Sequence, residues 1–332
     1  MSNPVTVMAR RRALRAAGAA LIGAASHRAA VAQAPQSGRV IRIVVPYATG
    51  GGTDILGRHL AEALGAELGS SVIVENRAGG SANIGAMTVA KAPADGATLL
   101  LGDLALAVNP SLFKRLSYDP VADLQPIATV ATAPLVLVVN PSTPARTLAE
   151  LVALAKAKPG TLTYASAGNG NPPHIAAELF RTTTGIDVVH VPYKGVGPAL
   201  NDVIGGQVTM LFTGISSTRQ HIESGRVRAL AVTGARRAST LPAVPTTAEA
   251  GFPGVDVTSW WGLFAPAGLP PEMVTDLSRA AEKALAQAAL RQRLDALNID
   301  AAYAGPEALK NRLQSETARW GKVIRAAGIM PE

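Results

Sequence analysis

Residues 41–58 read IRIVVPYATGGGTDILGR, and this stretch decides the fold. An apolar strand ends at Pro46, three glycines follow from Gly50 to Gly52, and an amphipathic helix starts directly after them. Consecutive glycines let the backbone turn sharply, and the first turn of a helix leaves its N–H groups unpaired at the positive end of the helix dipole. The junction therefore predicts a site for an anion.

Two more strand-to-helix junctions of this kind follow along the chain. The second reads VIVENRAGGSANIGAMTVA over residues 72–90, and the third reads TYASAGNGNPPHIAAELF over residues 163–180. In a parallel sheet such loops gather at the carboxyl ends of the strands, where ligands bind. None of the three has the lysine of a phosphate-binding loop, so a small carboxylate is the favoured anion.

Short β-branched runs alternate with helical patterns, which is typical of α/β architecture. The predicted strands are residues 41–46, 71–75, 98–101, 135–140, 161–165, 188–192, 208–212 and 229–233. One helix is predicted after the first loop as far as Leu68, with Thr53 or Asp54 as its N-cap, and another over residues 147–156. Residues 270–326 predict two helices joined near residues 298–306, with Trp320 packed inward.

Residues 1–34 read as an export signal. Four arginines between positions 10 and 15 precede an alanine-rich stretch that ends at Ala32-Gln33-Ala34. Ala13 stands where a twin-arginine signal usually has an aromatic residue, so the Sec and twin-arginine routes both stay open. An amphipathic membrane anchor is the alternative, but the apolar stretch is short and rich in small residues. We therefore expect a periplasmic protein.

The leader carries five arginines and no acid, so its removal takes the formal net charge from +8 to +3. A chain of so little charge has no basic stripe for nucleic acid. It has no cysteine, and its five histidines lack the spacing of metal ligands. The sequence predicts no nucleic-acid partner, metal, cofactor or disulfide, and a core large enough to fold without them.

The length of 332 residues predicts two domains after the signal. Residues 135–140 and 259–266, the second reading SWWGLFAP, are the expected crossings between them. Lobe 1 would comprise residues 35–138 and 260–332, and lobe 2 residues 139–259. Trp260 and Trp261 are expected to pack in the hinge or core rather than on a ligand. The glycine-rich loops would then face a cleft between the lobes.

Five motifs carry a resemblance to a known family: PYATGGGTD at 46–54, ENRAGGSANIG at 75–85, YASAGNG at 164–170, HVPYKG at 190–195 and WGLFAP at 261–266. This ordered set resembles the tripartite tricarboxylate transporter solute receptors, also called Bug-type receptors. The resemblance implies a two-lobed, type II periplasmic-binding-protein-like α/β fold in which each lobe is a mostly parallel sheet flanked by helices. It also implies a small organic anion in the interlobe cleft, often a di- or tricarboxylate, and delivery to two membrane subunits by a receptor that we expect to be monomeric.

The resemblance carries over to ligand-binding residues one at a time. In that family the first two loops grip one carboxylate, and the middle lobe selects the rest of the ligand. The candidates here are Tyr47, Gly51, Thr53 and Asp54 in the first loop, Gly80, Ser81 and Asn83 in the second, Ser166, Gly168 and Asn169 in the third, and Tyr193 and Thr213. Thr213 stands where the family commonly has an aspartate, and residues 102–106 replace a more polar turn. The missing acid argues against an amino-acid ligand, whose ammonium would need a carboxylate partner.

Three alternatives stay open at this point. Ser166 with His174 could suggest a serine-type hydrolase, although the serine lacks the preceding glycine of a nucleophile elbow, and no enzymatic activity is predicted. His174 is better explained as a residue at the start of a helix. The chain could also be a ligand sensor that signals to a membrane partner. Asp54 could either cap the helix or organise the ligand-binding loop.

Overall fold

The computed structural model describes residues 40–326, so the predicted export signal lies outside the described residues. The strands are β1 (Ile41–Val45), β2 (Val72–Asn76), β3 (Thr98–Asp103), β4 (Leu124–Val139), β5 (Thr163–Ser166), β6 (Val189–Pro192), β7 (Met210–Gly214), β8 (Arg228–Val232), β9 (Thr258–Pro266) and β10 (Asp300–Ala304). The helices are α1 (Gly52–Leu68), α2 (Asn83–Ala90), α3 (Ala105–Leu112), α4 (Leu148–Ala157), α5 (Pro172–Thr184), α6 (Val196–Ile204), α7 (Ile215–Glu223), α8 (Pro271–Ala286), α9 (Ala288–Asp295) and α10 (Pro306–Ala326).

The strands form one mixed sheet in the order β2-β1-β3-β9-β4-β7-β5-β6, and β8 and β10 also pair with β4. Strands β1, β2 and β3 are parallel to one another, as are β5, β6 and β7. The central strands β9 and β4 run antiparallel to each other and to their neighbours. The predicted α/β fold class is confirmed. Only the outer strands of each half are parallel, because β4 and β9, which connect the two halves of the sheet, run antiparallel to their neighbours.

Strand β4 belongs to both halves of the sheet. Its first part pairs with β9 and β10, and its last residues, from Leu135, pair with β7 and β8. The sequence predicted only the second part, because Pro126 lacks a ladder donor and register shifts between Pro126 and Ala131 break the alternation of side chains. The predicted lobe boundaries, 35–138 with 260–332 and 139–259, stay a prediction.

The C-terminal section differs from its prediction. Helices α8 and α9 are separated only by Gln287, whose backbone is extended, so residues 271–326 hold three helices. Residues 300–304, expected to be a connection, form β10, an alanine-rich strand of low intrinsic β-propensity that pairs with β4. Trp320 is buried as predicted. Within residues 40–326, no helix is long and apolar enough to cross a membrane.

Buried side chains form clusters on the faces of the sheet that hold the strand ends in place. One cluster packs α1 and α8 against β1, β3 and β9, and another packs α3, α5 and α10 against the opposite face of the central strands. A third packs α6 against β7 and β8. Gly57 lets α1 approach the sheet closely, since a Cβ there would lie 3.0 Å from Val45 Cγ2. The loops at the carboxyl ends of the parallel strands are thereby fixed in position.

Candidate functional site

The first loop joins β1 to α1. Helix α1 begins at Gly52 with Gly51 as its N-cap residue, and no side chain caps it. The predicted capping by Thr53 or Asp54 is wrong, because the helix starts before them and the Asp54 carboxylate turns back to accept the N–H of Gly50 at 2.9 Å. Among the residues that the structure describes, the N–H groups of Gly52, Thr53 and Asp54 therefore have no intrahelical or side-chain acceptor.

Asp54 is buried and fully engaged within the protein. Its Oδ1 accepts Asn76 Nδ2 at 3.0 Å and Arg58 Nη2 at 2.9 Å, and its Oδ2 accepts Arg58 Nε at 3.2 Å. Burial alone would raise the pKa of Asp54, but the hydrogen bonds from Arg58, Gly50 and Asn76 outweigh it and hold the pKa below its usual value. Asp54 thus organises the first loop as a neutralised carboxylate.

Two further contacts tie the first loop to the sheet behind it. Thr53 Oγ1 accepts Trp261 Nε1 at 2.9 Å, and both residues are buried. The Tyr47 hydroxyl donates to Asp103 Oδ1 at 3.0 Å. Burial raises the pKa of Asp103 to about 6, and burial beside that carboxylate raises the pKa of Tyr47 as well. Trp260 and Trp261 lie in β9 and pack inward as expected.

The second loop has an unusual backbone. Gly79, Gly80, Ser81 and Ala82 have φ angles of 127°, 55°, 53° and 74°, so left-handed residues follow one another up to the start of α2. Glycine adopts such angles freely, whereas Ser81 and Ala82 are strained by them, which is typical of residues held at functional sites. A Cβ on Gly85 would lie 2.7 Å from the Cβ of Pro46, so α2 packs directly against the first loop.

The side chain of Asn83 is held in one orientation. Its Oδ1 accepts Asn109 Nδ2 at 2.8 Å and the Tyr118 hydroxyl at 3.0 Å, and Asn109 Nδ2 also donates to the Ser81 carbonyl at 2.8 Å. Both acceptor positions of the Asn83 amide oxygen are therefore filled. The Asn83 NH₂ group is left as a fixed pair of donors on a half-buried side chain.

Sequence reasoning missed Asn109 and Tyr118. Asn109 is fully buried in α3, and Tyr118 is 6% exposed. A weak signal existed for Asn109, because it interrupts the mostly apolar run LALAVNPSLF and stands directly before a proline. For Tyr118, which lies 35 residues after its partner, the local sequence offers no such signal.

The third loop precedes α5. Asn171 caps this helix by accepting the N–H of His174 at 3.0 Å, and Gly170 N–H donates to His174 Nδ1 at 3.1 Å. His174 therefore begins the helix as expected. The buried Ser166 hydroxyl accepts Gly168 N–H at 3.2 Å, lies 3.0 Å from the Gly168 carbonyl, and lies 2.6 Å from His190 Nε2. Ser166 is used to shape the loop, and its histidine partner is His190, not His174.

A stack of rings supports the third loop. His190 lies between Tyr164 and His174, with ring centroids at 4.7 Å and 4.4 Å. Burial lowers the pKa of each histidine to about 4. Both imidazoles are therefore neutral at neutral pH. Tyr164 donates in turn to Glu178, which pairs with Arg181 at 2.8 Å.

The remaining predicted site residues have different surroundings. The Tyr193 hydroxyl donates to Asp202 Oδ2 at 2.5 Å, and desolvation and that carboxylate raise the pKa of Tyr193 to about 12. Asn169 is half-buried at the tip of the third loop. Thr213, near the end of β7, is fully buried, and its Oγ1 has no hydrogen-bond partner among residues 40–326.

The loops of the two halves approach one another. A Cβ on Gly52 would lie 3.5 Å from Ser216 Oγ, so the first loop faces the start of α7. A Cβ on Gly170 would lie 3.0 Å from Asn109 Oδ1, so the third loop rests on α3 beside the residue that holds the second loop. The predicted glycine-rich junctions therefore gather in one region, with peptide N–H groups and the Asn83 amide as donors for an anion.

Residues 56–329 match the profile of the family described as tripartite tricarboxylate transporter family receptor. The chain belongs to this family. Protein BugT of Bordetella pertussis is 38% identical, over 87% of this chain and 90% of its own length. The Rhodopseudomonas palustris protein Rpa4515, solved with adipate, is 35% identical with a TM-score of 0.85, covering 90% of this chain and 99% of that one. MatC of the same species, solved with bound malate, is 33% identical with a TM-score of 0.80, covering 86% and 99%.

As a tripartite tricarboxylate transporter family receptor, the chain has the identity that the five motifs suggested, and its fold is that of the solved receptors. The family is one of solute-binding receptors. In the part of the chain that the structure describes, no group of three or more histidine and acidic side chains could hold a metal ion.

Proposed function

We propose that this receptor captures a small di- or tricarboxylate in the periplasm and presents it, as a monomer, to the membrane subunits of a tripartite tricarboxylate-type transporter. The ligand would lie between lobe 1 (residues 35–138 and 260–332) and lobe 2 (residues 139–259). Family membership supports the transport role. The carboxylate ligands of Rpa4515 and MatC support the ligand class.

The fixed Asn83 amide carries the proposal. Asn109 and Tyr118 both donate to the Asn83 oxygen, so this amide is held with its oxygen toward them. Its NH₂ group is then the part that a ligand would meet, and this group donates hydrogen bonds. The unpaired N–H groups at the start of α1 add peptide donors and the positive end of the helix dipole. Arg58 neutralises the one carboxylate of this loop, so Asp54 does not oppose an incoming anion.

The number of donors is sufficient for a receptor. A micromolar ligand requires about −8 kcal/mol. Hydrogen bonds to a charged group contribute about 1.5 to 3 kcal/mol each, and ordering of the ligand and loops offsets part of that sum. Four or five donors from the first and second loops therefore suffice without a buried arginine that contacts the ligand.

A thermal-shift screen followed by calorimetric titration tests the proposal. The probes are adipate, malate, citrate and glutamate, with the neutral diamide of adipic acid as a control. A bound ligand at one hundred times its Kd stabilises the fold by about 2.7 kcal/mol. Asn83→Ala should weaken binding while Asn201→Ala, on the exposed face of α6, should not. If no organic anion shifts the midpoint, the carboxylate proposal fails.

One observation favours a second candidate, a serine-type hydrolase. Ser166 Oγ lies 2.6 Å from His190 Nε2, a separation at which a nucleophile and a base interact. Three features oppose it: Ser166 is fully buried, the pKa of His190 is lowered to about 4, and no described carboxylate hydrogen-bonds His190 Nδ1. Stoichiometric labelling of Ser166 by a reactive phosphonate would establish the hydrolase and overturn the receptor.

A further inference from the structure

A second buried acid lies beside the first loop. Asp103 is the last residue of β3, and it is 4% exposed. Its Oδ1 accepts the Tyr47 hydroxyl and the backbone N–H of Ala105, both at 3.0 Å. Its other oxygen, Oδ2, has no hydrogen-bond partner in residues 40–326. Asp103 therefore presents one occupied and one open oxygen at the edge of the sheet where the ligand loops gather.

Within residues 40–326, no cation pairs with Asp103. The ionisable groups that face it are two phenols, Tyr47 from the first loop and Tyr118 from the segment after α3. Its strand neighbour on β9 is Trp261, and helices α2 and α3 contain no ionisable side chain. Arg58 in α1 is engaged with Asp54, and Arg77 in the second loop is engaged with Glu75. Asp103 thus differs from Asp54 in having no counter-charge.

An unneutralised carboxylate conflicts with the capture of an anion. Two carboxylates that share a buried site repel each other, and the usual resolution is that one proton is held between them. The oxygen that would receive this proton is Oδ2, because Tyr47 and Ala105 already occupy Oδ1. A protonated Oδ2 becomes a hydrogen-bond donor, so the acid that opposes the ligand turns into a group that binds it.

We propose that Asp103 takes up a proton when the ligand binds, so that the receptor captures its organic anion together with one proton. This inference rests on the proposed function, because it needs a carboxylate ligand near the first loop. Asp103 is then a specificity-determining residue. It favours a carboxyl group that can share a proton and disfavours anions that stay fully ionised at the same position.

The electrostatics agree with this geometry. Burial already raises the pKa of Asp103 to about 6 without a ligand, and a second carboxylate nearby raises it further. Asp103 is therefore mostly ionised in the free receptor at pH 7.5 and protonated in the complex. Between the two pKa values, Kd should weaken by about tenfold for each unit of rising pH, as expected for uptake of one proton.

Calorimetric titration with adipate and malate tests the inference between pH 6.5 and 8.5, where both ligands are fully ionised. Comparison of phosphate and Tris buffers, which differ in ionisation enthalpy, gives the number of protons taken up. We expect nearly one proton per ligand at pH 7.5. In Asp103→Asn, which keeps the Oδ1 acceptor, we expect no uptake, a flat pH profile and tighter binding than wild type at pH 8. Asp276→Asn, on the exposed surface of α8, should behave as wild type.

A measurement without ligand separates this inference from the proposed function. The carboxyl carbon resonance of Asp103, assigned by its loss in Asp103→Asn, should titrate near pH 6, and Tyr47→Phe should move this midpoint upward by removing a donor to the ionised form. A midpoint near 4, or one that Tyr47→Phe leaves unchanged, overturns the inference even if no carboxylate binds. Binding without proton uptake overturns it too, whereas absence of any carboxylate binding refutes the proposed function.

Discussion

The substitution Tyr118→Phe gives a direct test of how the second loop is built. It removes the hydroxyl that donates to Asn83 Oδ1 at 3.0 Å and leaves the buried ring in place. Loss of one buried hydrogen bond should lower the free energy of unfolding by about 1 kcal/mol. Asn83 then keeps only Asn109 as a donor to its oxygen, so its amide can rotate away from the ligand.

The effect on binding is expected to be as large as the effect on stability. A charge-assisted hydrogen bond from the Asn83 amide contributes about 1.5 kcal/mol or more, so losing its orientation should raise Kd by up to about tenfold. Urea unfolding measures the first effect, and calorimetric titration with the best carboxylate of the screen measures the second. Tyr303→Phe is the matched control, since the Tyr303 hydroxyl on β10 hydrogen-bonds Ser278 on α8, and neither residue belongs to the three glycine-rich loops.

The two readouts also separate a local from a global effect. A double-mutant cycle of Tyr118→Phe with Asn83→Ala should show coupling in binding, because the Tyr118 hydroxyl acts on the ligand only through Asn83. If Tyr118→Phe weakens binding equally in the presence and absence of the Asn83 side chain, the orienting role is refuted. Wild-type stability and wild-type Kd in the single variant would refute the hydrogen bond itself.

Three further substitutions test other parts of the site. Asp54→Asn replaces one carboxylate oxygen by an NH₂ group that would face the donors of Arg58 or Gly50. Urea unfolding should therefore show a free energy of unfolding lower by about 2 kcal/mol. A decrease below about 0.5 kcal/mol would contradict the loop-organising role. Gly85→Ala places a Cβ 2.7 Å from Pro46, which should displace α2 and lower stability by about 1 to 3 kcal/mol together with ligand affinity in calorimetry. Asp103→Asn should stabilise the protein at pH 8 by up to about 3 kcal/mol, from a pKa raised from 3.8 to about 6. This difference in free energy of unfolding should vanish below pH 3.8, where the Asp103 carboxyl is protonated in both the folded and the unfolded protein. If urea unfolding shows a difference that does not change with pH, the raised pKa of Asp103 is contradicted.

The framework of the fold could be predicted because its signals are local. Every strand predicted from a short apolar run exists, and the three glycine-rich junctions each precede a helix. The failures came where tertiary pairing overrides local preference. Strand β10 reads DAAYA and forms only because β4 offers an edge, and the first part of β4 contains prolines and register shifts. No pattern within a window of the sequence could have shown these pairings.

The loops of the candidate site could be predicted from the sequence, whereas the residues that hold the side chains of these loops in position could not. Gly80 and Gly168 have the positive φ angles that turns of glycine-rich loops require, and Gly51 is the N-cap residue of α1. The groups that aim the side chains come from distant parts of the chain: Asp103 lies 56 residues from Tyr47, and Trp261 lies 208 residues from Thr53. Such contacts depend on which strands become neighbours, so they appear only once the sheet order is known.

Two acids in the proposed anion site raise the question of how each is tolerated. Asp54 is kept ionised, with its pKa lowered, because Arg58 cancels its charge and donors fill both of its oxygens. Asp103 pairs with no cation in the described part of the chain, and its pKa is raised, so a proton is the group that can cancel its charge. The two acids should therefore respond oppositely to neutral substitution, since Asp54→Asn removes a stabilising charge and Asp103→Asn removes a destabilising one. Because Arg58 is always present, the charge of Asp54 is cancelled whether or not a ligand is bound. The charge of Asp103 is cancelled when a proton binds, and we propose that this proton binds together with the ligand. The repulsion between Asp103 and an anionic ligand is then removed at the moment of binding.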